Sequence, residues 1–358
     1  MMKLKIIAPG RICLFGDHQD YLELPVIACA IDRQLELTAK ENGSNLFRIY
    51  MPDIHSERII PISEKFEILE KGDHYASALR VLRRYGCIPT TGFDLTLKST
   101  VPINAGISSS SAIVVAWIYF LLKAFSSSEK ISPEFVAKLA YEAEVLEHHS
   151  PGGKMDQFTI SLGDIVYIDT SSEFSVTRIG TQMEGLILAE SGIPKETFGL
   201  LDHVRTKASK AIELVCKKYP NFILHQAEEK DISKLSEELP QHLLPYFSAA
   251  ILNHEITEKA LIEFKKDTLD LHVIGRLMTA HHEILKNDLQ ITVPQIDCLI
   301  DAAMNAGAFG AKIVGSGGGG SIVAISSSEK KEDIIRAIKE AGAKDAYSVS
   351  VAKGVHYA

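Results

Sequence analysis

The sequence has few cysteines, no long hydrophobic run and no excess of positive charge, and each absence excludes a class of protein. Its five cysteines are scattered along 358 residues without a C-x-x-C pair, so no disulfide framework, zinc knuckle or redox dithiol is indicated. Lysine and arginine total 38 against 46 aspartates and glutamates. This net charge of −8 argues against non-specific binding to nucleic acid or to an anionic membrane, but it allows a small anionic ligand in a local basic pocket.

No segment is apolar for long enough to span a bilayer. The longest apolar run, residues 112–122, has 11 residues, whereas a spanning helix needs about 20. The first nine residues contain lysines but no apolar stretch before a cleavage-like site, so we expect no secretion signal. With cysteines that we expect to be buried and reduced, these features predict a cytoplasmic protein without a membrane partner.

The remaining composition is that of a globular chain, with 46% hydrophobic and 23% charged residues. Short alternating runs in the first hundred residues predict strands, and the second half is richer in helical spacing. A polar stretch over residues 169–180 is the predicted domain boundary, which gives domains 1–175 and 176–358. The predicted fold class is α+β, with two mixed halves.

A cluster of charged residues follows the first predicted strand. Residues 9–21 read PGRICLFGDHQDY and place Arg11, Asp17, His18 and Asp20 within ten residues. An arginine can bind a phosphate with two hydrogen bonds, and acidic and imidazole groups can bind sugar hydroxyls. A solvated hairpin explains the same letters, so this segment alone does not decide between the two.

A small polar loop precedes the apolar run. Residues 106–112 read GISSSSA, and free N–H groups at the start of a helix can bind phosphates, with a hydroxyl left for Mg²⁺. The segment is not a Walker A loop, because no Gly-Lys-Ser/Thr follows at the required spacing. The alternative is a serine-rich N-cap of a core helix.

Two further segments could contribute chemistry. Residues 315–321 read GSGGGGS between two predicted strands, which suits either a close backbone approach or a flexible linker. No dinucleotide fingerprint is present there, because a strand follows rather than a helix. Glu144 on a predicted helix and Asp156 after a Gly-Gly turn are a candidate metal ligand and a candidate base; an exposed helix carboxylate and an N-cap are the alternatives.

The order and spacing of these segments resemble the GHMP kinase family. Residues 9–21 are similar to its first motif, residues 102–112 to its phosphate-binding motif and residues 310–321 to its third motif. Galactokinases resemble the chain most within the family, through His18-x-Asp20-Tyr21 and through GKMDQ at residues 153–157. The resemblance implies a two-domain GHMP kinase fold, with an N-terminal domain like ribosomal protein S5 domain 2, a C-terminal ferredoxin-like α/β sandwich and the active site between them.

The resemblance also implies an ATP-dependent kinase that uses Mg²⁺ to transfer the γ-phosphate of ATP to a sugar hydroxyl, the anomeric one. Its implied catalytic residues are Asp156 and Arg11, and its implied Mg²⁺ ligands are Ser110 and Glu144. The implied substrate-binding residues are Asp17, His18, Asp20, Gly153 and Lys154. The implied ATP-binding residues are Gly106, Ile107, Ser108, Ser109, Ser110, Ser111, Gly317 and Gly318.

Three departures from the galactokinase pattern leave the acceptor open. Asp17 stands where galactokinases have glutamate, Lys154 replaces an apolar residue and could favour an acidic sugar, and residues 191–205 lack the sugar-contacting tyrosine. A uronic acid, a pentose, an inositol or another small alcohol is therefore an alternative acceptor. A catalytically silent sensor is a third interpretation, which the presence of Arg11 and Asp156 disfavours.

Two questions remain outside these motifs. The adjacent pairs at residues 148–149 and 281–282 are histidines whose side chains point about 100° apart on a helix, so we expect surface or core histidines rather than a metal site. The oligomeric state is not predicted.

Overall fold

The structure is a computed structural model that describes residues 2–181, 183–195 and 198–358. It contains two β-sheets. The strands of the first sheet are β1 (Lys3–Phe15), β2 (Val26–Glu41), β3 (Leu46–Met51), β4 (Ser56–Pro61), β5 (Phe93–Ser99), β6 (Ile165–Asp169), β7 (Ser175–Ile179) and β12 (His356–Tyr357). The strands of the second sheet are β8 (Leu186–Glu190), β9 (Gly310–Val314), β10 (Ser321–Ile325) and β11 (Asp345–Val349).

Along the chain, most helices connect strands that belong to the same sheet. In the first half they are α1 (His74–Arg84), α2 (Ser109–Phe125), α3 (Pro133–Tyr141) and α4 (Met155–Leu162), with a π-helical turn at Glu142–Leu146. In the second half they are α5 (Phe198–Lys218), α6 (Ile232–Leu235), α7 (Leu244–Phe264), α8 (Leu271–Asn287), α9 (Pro294–Asn305) and α10 (Lys331–Glu340). Among the described residues, no helix combines the length and apolar character needed to cross a membrane.

The first sheet runs in the order β12-β1-β2-β5-β3-β4, with β6 and β7 added beside β2. Its pairs are antiparallel except β3 with β5. β1 is 13 residues long and buried over most of its length because both faces are covered, and its pairing with β2 shifts register at Pro9/Gly10. This irregularity lies next to Arg11, at the point where the strand meets the loop before α2.

α2 is the central helix of the first half. Ten of its side chains are buried, including Trp117, Phe120 and Leu121, and Trp117 packs edge-on against Phe47 of β3 at 5.1 Å between ring centroids. The apolar run at residues 112–122 is therefore a buried helix, as predicted. Because this helix is fixed in the core, its N-terminal turn and the serines there are held at a defined place.

The second sheet has the antiparallel order β11-β8-β10-β9 and shares a core with the helices α9 and α10. After β11 the chain returns to the first sheet: Asp32 N–H donates to Ser350 O at 3.0 Å and Ala352 N–H to Ala30 O at 2.9 Å. β12 then pairs with β1, with Ile6 opposite Tyr357.

The structure contains elements that the sequence pattern does not predict, and it shifts the change between the two sheets. β8 was not predicted, although all five of its residues are buried in the middle of the second sheet. α4 was not predicted either, because eight residues are too few to display a clear period. β7 begins at Ser175 and pairs with β6, so the change from the first sheet to the second lies between Ile179 and Leu186 rather than at residue 175.

Candidate active site

A cavity of about 640 Å³ opens between the two halves of the chain. Its walls come from the end of β1, from residues 104–111 (the serine loop), from the loop before α4 and from the start of residues 315–320 (the glycine loop). Among the site residues named from the sequence, those lining the cavity are Arg11, Asp17, His18, Asp20, Gly106, Ser110, Ser111, Glu144, Gly153 and Asp156. Four segments far apart in the chain thus meet in one place.

Arg11 and Asp156 form the central contact of this cavity. Arg11 Nε lies 2.7 Å from Asp156 Oδ1, with the two side chains 5% and 28% exposed. Arg11 Nη1 donates to Gly106 O at 2.7 Å, and Ser108 Oγ donates to the other carboxylate oxygen of Asp156 at 2.5 Å. The guanidinium group therefore joins the first turn of α4 to the serine loop.

The contacts of Asp156 keep its carboxylate ionised. Burial alone would raise its pKa, but the charge and the hydrogen bond of Arg11, together with Ser108 and Lys195, hold the pKa of Asp156 below its usual value. Oδ1 accepts from Arg11, and Oδ2 accepts from Ser108 with Ser111 Oγ 3.5 Å away, so Oδ1 retains a lone pair for another donor. A neutral hydroxyl placed beside Asp156 would find a charged acceptor there.

The serine loop contributes residues with different roles. Ser110 is exposed to the cavity on the first turn of α2, where backbone N–H groups have no partner within the helix. Ser111 is buried, and its Oγ donates to Glu144 Oε1 at 2.9 Å. Ile107 instead belongs to the hydrophobic core, and Ser108 is committed to Asp156. The loop thus presents Gly106, Ser110 and Ser111 to a ligand.

Glu144 lies on the π-helical turn and faces Ser111 across the cavity wall. Its second oxygen accepts a hydrogen bond from Gln157 Nε2 at 2.7 Å. Burial, and then the nearby charge of Asp156, raise the pKa of Glu144, although Gln157, Ser111 and Ser110 oppose this. Two half-buried carboxylates, Glu144 and Asp156, beside the Ser110 hydroxyl form an environment that a small cation would stabilise.

The oxygen donors here fit Mg²⁺ better than a transition metal. Among the described residues, no group of three or more histidines, cysteines or carboxylates is arranged to hold a metal. Mg²⁺ keeps several waters and uses one or two carboxylates together with substrate phosphates, so Glu144 and the Ser110 hydroxyl would supply enough protein ligands.

His281 and His282 are buried in the core, which is one of the two positions expected for them from the sequence.

The other end of the cavity is lined by His18, Asp20, Tyr21 and Gly153. His18 has φ of +63°, and its ring bridges Tyr21 OH at 2.8 Å and Ser316 O at 3.1 Å. Asp20 Oδ2 accepts from Met155 N–H at 3.4 Å. A Cβ atom added at Gly153 would lie 1.9 Å from that same oxygen, so only glycine leaves room for the Asp20 carboxylate.

Asp20 is poised between its two protonation states near neutral pH. Burial, followed by the negative charge of Asp156, raises the pKa of Asp20 to about 6, although Met155 N–H and Arg11 partly compensate. Asp156 and Asp20 therefore differ in protonation behaviour, since the first is paired with Arg11 and the second is not. The pKa of Asp20 therefore lies closer to neutrality than that of an ordinary aspartate.

Besides Ile107 and Ser108, four residues assigned from the sequence do not line the cavity: Ser109, Lys154, Gly317 and Gly318. The Lys154 ammonium lies over the Phe174 ring, 4.2 Å from its centroid, and Lys154 does not line the cavity. Gly317 and Gly318 also do not line it, because Gly318 N–H donates to Ile291 O at 2.8 Å in the loop after α8. The expected preference of Lys154 for an acidic sugar thus has no structural support.

Asp17 borders the cavity but is already bound. It is 1% exposed, its Oδ2 lies 2.5 Å from Lys312 Nζ, and its Oδ1 accepts from Gly315 N–H at 2.9 Å. Burial would raise the pKa of Asp17, but Lys312 and Gly315 lower it below its usual value. Both carboxylate oxygens are therefore engaged by the protein itself.

Sequence reasoning missed two cations of the site. Lys195, in the loop after β8, lines the cavity, and its charge acts on Asp156 and Glu144, while burial lowers the pKa of Lys195. Residues 191–205 match no motif around this lysine, so the local sequence does not mark it. Lys312 lies within the third motif, but the carboxylate with which it pairs is 295 residues away in the chain.

The cavity continues beyond Glu144. His148, one helical turn further on, packs edge-on against His74 at the start of α1, with ring centroids 5.0 Å apart. Lys71 and Gly72 complete this end. The cavity therefore has an end near Asp20, a charged middle at Arg11 and Asp156, and a second end near His74.

Comparisons with known proteins identify the same segments. The family model described as GHMP kinases N terminal domain matches residues 73–164, and the model described as GHMP kinases C terminal matches residues 257–344. A galactokinase galactose-binding signature matches residues 5–40. These ranges include the serine loop, the glycine loop and the charged cluster after β1.

Similar proteins cover nearly the whole chain. A galactokinase of Thermococcus kodakarensis is 26% identical over 352 residues, 95% of this chain and 94% of its own length. A mevalonate kinase of Thermococcus sibiricus is 28% identical over 351 residues, with the same two coverages. Among solved structures, Lactococcus lactis galactokinase complexed with galactose has a TM-score of 0.88 at 19% identity, covering 99% of this chain and 95% of that one.

Proposed function

Because the chain belongs to the GHMP kinase family, we propose that it is an ATP-dependent kinase whose acceptor is a sugar of the galactose type, phosphorylated on its anomeric hydroxyl. The family and the two-domain α+β fold confirm the sequence expectation. The observation that carries the proposal is Asp156, held ionised by Arg11 where the serine loop meets the end of the cavity near Asp20.

Asp156 orients the acceptor hydroxyl and receives its proton. As the new bond from the acceptor oxygen to the γ-phosphorus forms, the bond from that phosphorus to the leaving oxygen of ADP breaks. A carboxylate with a low pKa suffices, because the transition state is loose and the hydroxyl becomes strongly acidic only once its oxygen bonds to phosphorus. Arg11 holds Asp156 in the charged state that this transfer needs.

The phosphates of ATP would lie between the serine loop and two cations. The N–H groups at the start of α2 and the Ser110 hydroxyl face the cavity, and Arg11 and Lys195 lie near Asp156. Positive groups at this position stabilise the negative charge on the transferring oxygens. We place the nucleoside toward the end of the cavity near His74, beyond Glu144.

Ser110 and Glu144 would hold Mg²⁺, which would neutralise phosphate charge when it is bound. We expect the double variant Ser110→Ala/Glu144→Ala to raise the Mg²⁺ concentration for half-maximal activity by at least about 10-fold, since even outer-shell partners contribute that much. Initial rates at fixed ATP and varied Mg²⁺ measure this. Ser109→Ala, which does not line the cavity, is the control; an unchanged Mg²⁺ requirement in the double variant would remove both residues as ligands.

The pH dependence should report Asp20. With its pKa raised to about 6, Asp20 becomes a strong, charged acceptor for a sugar hydroxyl only once it has lost its proton. We expect kcat/KM for the acceptor to rise roughly tenfold per pH unit below this value and to level off above it. Rates between pH 4.5 and 8 at saturating ATP measure the profile.

Asp20→Asn is the matched variant for that profile. Asparagine keeps the shape of the side chain but does not titrate, so this inflection should vanish while inflections from ATP itself persist. An identical inflection in wild type and variant would assign the titration to another group.

A panel of acceptors tests the proposed function. It should contain galactose, other hexoses, galacturonic acid, pentoses, inositol and mevalonate, with ADP formation as the readout. The galactose-binding signature and the pair His18 and Asp20 support a sugar over mevalonate, although one relative of similar identity is a mevalonate kinase. Turnover with mevalonate and none with any sugar would overturn the acceptor class, and no turnover with any acceptor would overturn the kinase assignment.

A further inference from the structure

The ion pair of Asp17 and Lys312 is the most deeply buried charged contact at the cavity. Its partners are 1% and 0% exposed and lie 2.5 Å apart. Lys312 Nζ also donates to Cys13 O at 3.1 Å and to Ile313 O at 2.8 Å, so all three of its protons have partners. A fully partnered pair of this kind is stable only as long as both charges are present.

The pair joins the two halves of the chain at the cavity. Asp17 follows β1, whereas Lys312 belongs to β9, and Asp17 also holds Gly315 N–H at the start of the glycine loop. Ser316, the next residue, binds His18 through its carbonyl oxygen. The position of the glycine loop relative to the first motif is therefore set by Asp17.

The glycine loop in turn supports the serine loop. A Cβ atom at Gly315 would lie 2.9 Å from Gly106 O, and one at Gly106 would lie 2.6 Å from Val314 O, so the two backbones touch without side chains between them. Gly106 O is the acceptor for Arg11 Nη1 at 2.7 Å. A continuous set of contacts thus runs from Asp17 through Gly315 and Gly106 to Arg11.

We propose that Asp17 is a positioning residue that pairs with Lys312 to fix the glycine loop, and through Gly106 the guanidinium of Arg11, and that it does not bind a sugar hydroxyl. The kinetic part of this proposal rests on the proposed function; the structural part does not. It departs from what the resemblance to galactokinases implies for this position, where the shorter aspartate reaches a lysine of the protein instead of the acceptor.

A mutant cycle in thermal unfolding tests the structural part. Asp17→Asn keeps an acceptor for Gly315 N–H but leaves Lys312 charged and unpaired, so Tm should fall by about 5 °C or more, as it should in Lys312→Met. The double variant should lose clearly less than the sum of the two single losses, because it buries no lone charge. Additive losses, or single losses near zero, would overturn the pairing.

Asp333→Asn is the matched control for this cycle. Asp333 and Arg336 also lie 2.5 Å apart, but their side chains are 48% and 65% exposed on α10. An exposed pair is solvated in either state, so its loss should change Tm and the kinetics very little.

Kinetics with deoxygenated acceptors separate positioning from sugar binding. In Asp17→Asn, and in the double variant if the single variant does not fold, we expect kcat to fall about 10- to 100-fold while acceptor KM changes less than about threefold. The ratio of kcat/KM for galactose to that for 2-deoxy-, 4-deoxy- or 6-deoxygalactose should remain as in wild type. Asp17→Glu/Lys312→Met should not restore kcat, because the glutamate then has no lysine with which to pair.

If one of these ratios falls toward 1 in Asp17→Asn, Asp17 binds the hydroxyl that the corresponding deoxy sugar lacks, and the proposal is overturned. If the wild type phosphorylates none of these sugars, the proposed acceptor fails, and the unfolding cycle alone then decides whether Asp17 and Lys312 are coupled.

Discussion

Replacing Asp156 with alanine should lower kcat by at least about 10³-fold while ATP still binds. The variant removes the group that orients the acceptor hydroxyl and takes its proton. Among the carboxylates of the cavity that the structure describes, none besides Asp156 is held ionised by an arginine in contact. Asp20 cannot substitute, since it is turned toward Met155 N–H and Gly153. ATP affinity should be unchanged or higher, because the positive charge of Arg11 is then no longer neutralised.

Two measurements check this expectation. Coupled ADP assays at saturating substrates give kcat, and titration calorimetry with a non-hydrolysable ATP analogue gives the nucleotide affinity. Glu134→Ala is the matched control, because Glu134 also stands in the first turn of a helix but is exposed and away from the cavity. Near-normal turnover of Asp156→Ala would rule out the assignment of the base.

The Arg11→Met variant should lose about 10²- to 10³-fold in kcat. Arg11 is 5% exposed and makes two contacts at once, with Asp156 and with Gly106 O. Arg11→Lys should recover only part of the loss, since an ammonium group on a flexible stem cannot reproduce the two fixed directions of a guanidinium.

The Arg11 variant should also change the pH profile. Without the guanidinium charge, burial is opposed only by the weaker effects of Ser108 and Lys195, so the pKa of Asp156 rises. The activity of Arg11→Met should therefore fall further behind wild type at pH 5.5 than at pH 8. A pH-independent ratio of the two rates would mean that Arg11 acts only on the phosphate and not on the protonation of Asp156.

The sequence predicted the parts of the site that depend on local pattern. The serine loop stands before an unmistakable apolar helix, and Arg11, Asp20 and Asp156 lie within short motifs whose order along the chain is characteristic. That these residues meet in one cavity was predicted from the family resemblance. Their spacing alone could not predict it, because 145 residues separate Arg11 from Asp156.

The features that were missed depend on packing between distant segments. The residues around Asp17 in the sequence do not indicate that a lysine of β9 pairs with it. The residues around Lys154 likewise do not indicate that its ammonium group packs over the Phe174 ring. Gly317 carries no ligand signal of its own; a Cβ there would lie 2.5 Å from Ile291 O, which only the folded chain shows. The direction of a side chain is decided by neighbours that the local sequence does not contain.

The return of the chain from β11 to the first sheet limits how the protein can be divided. A fragment of residues 1–175 produced by itself would lack β12 and the hydrogen bonds that Ser350 and Ala352 make to β2, leaving a bare strand edge directly beside Arg11. Two separately produced halves should consequently be inactive and prone to aggregate until they are mixed. This topology therefore favours complementation between fragments over independent folding of each half.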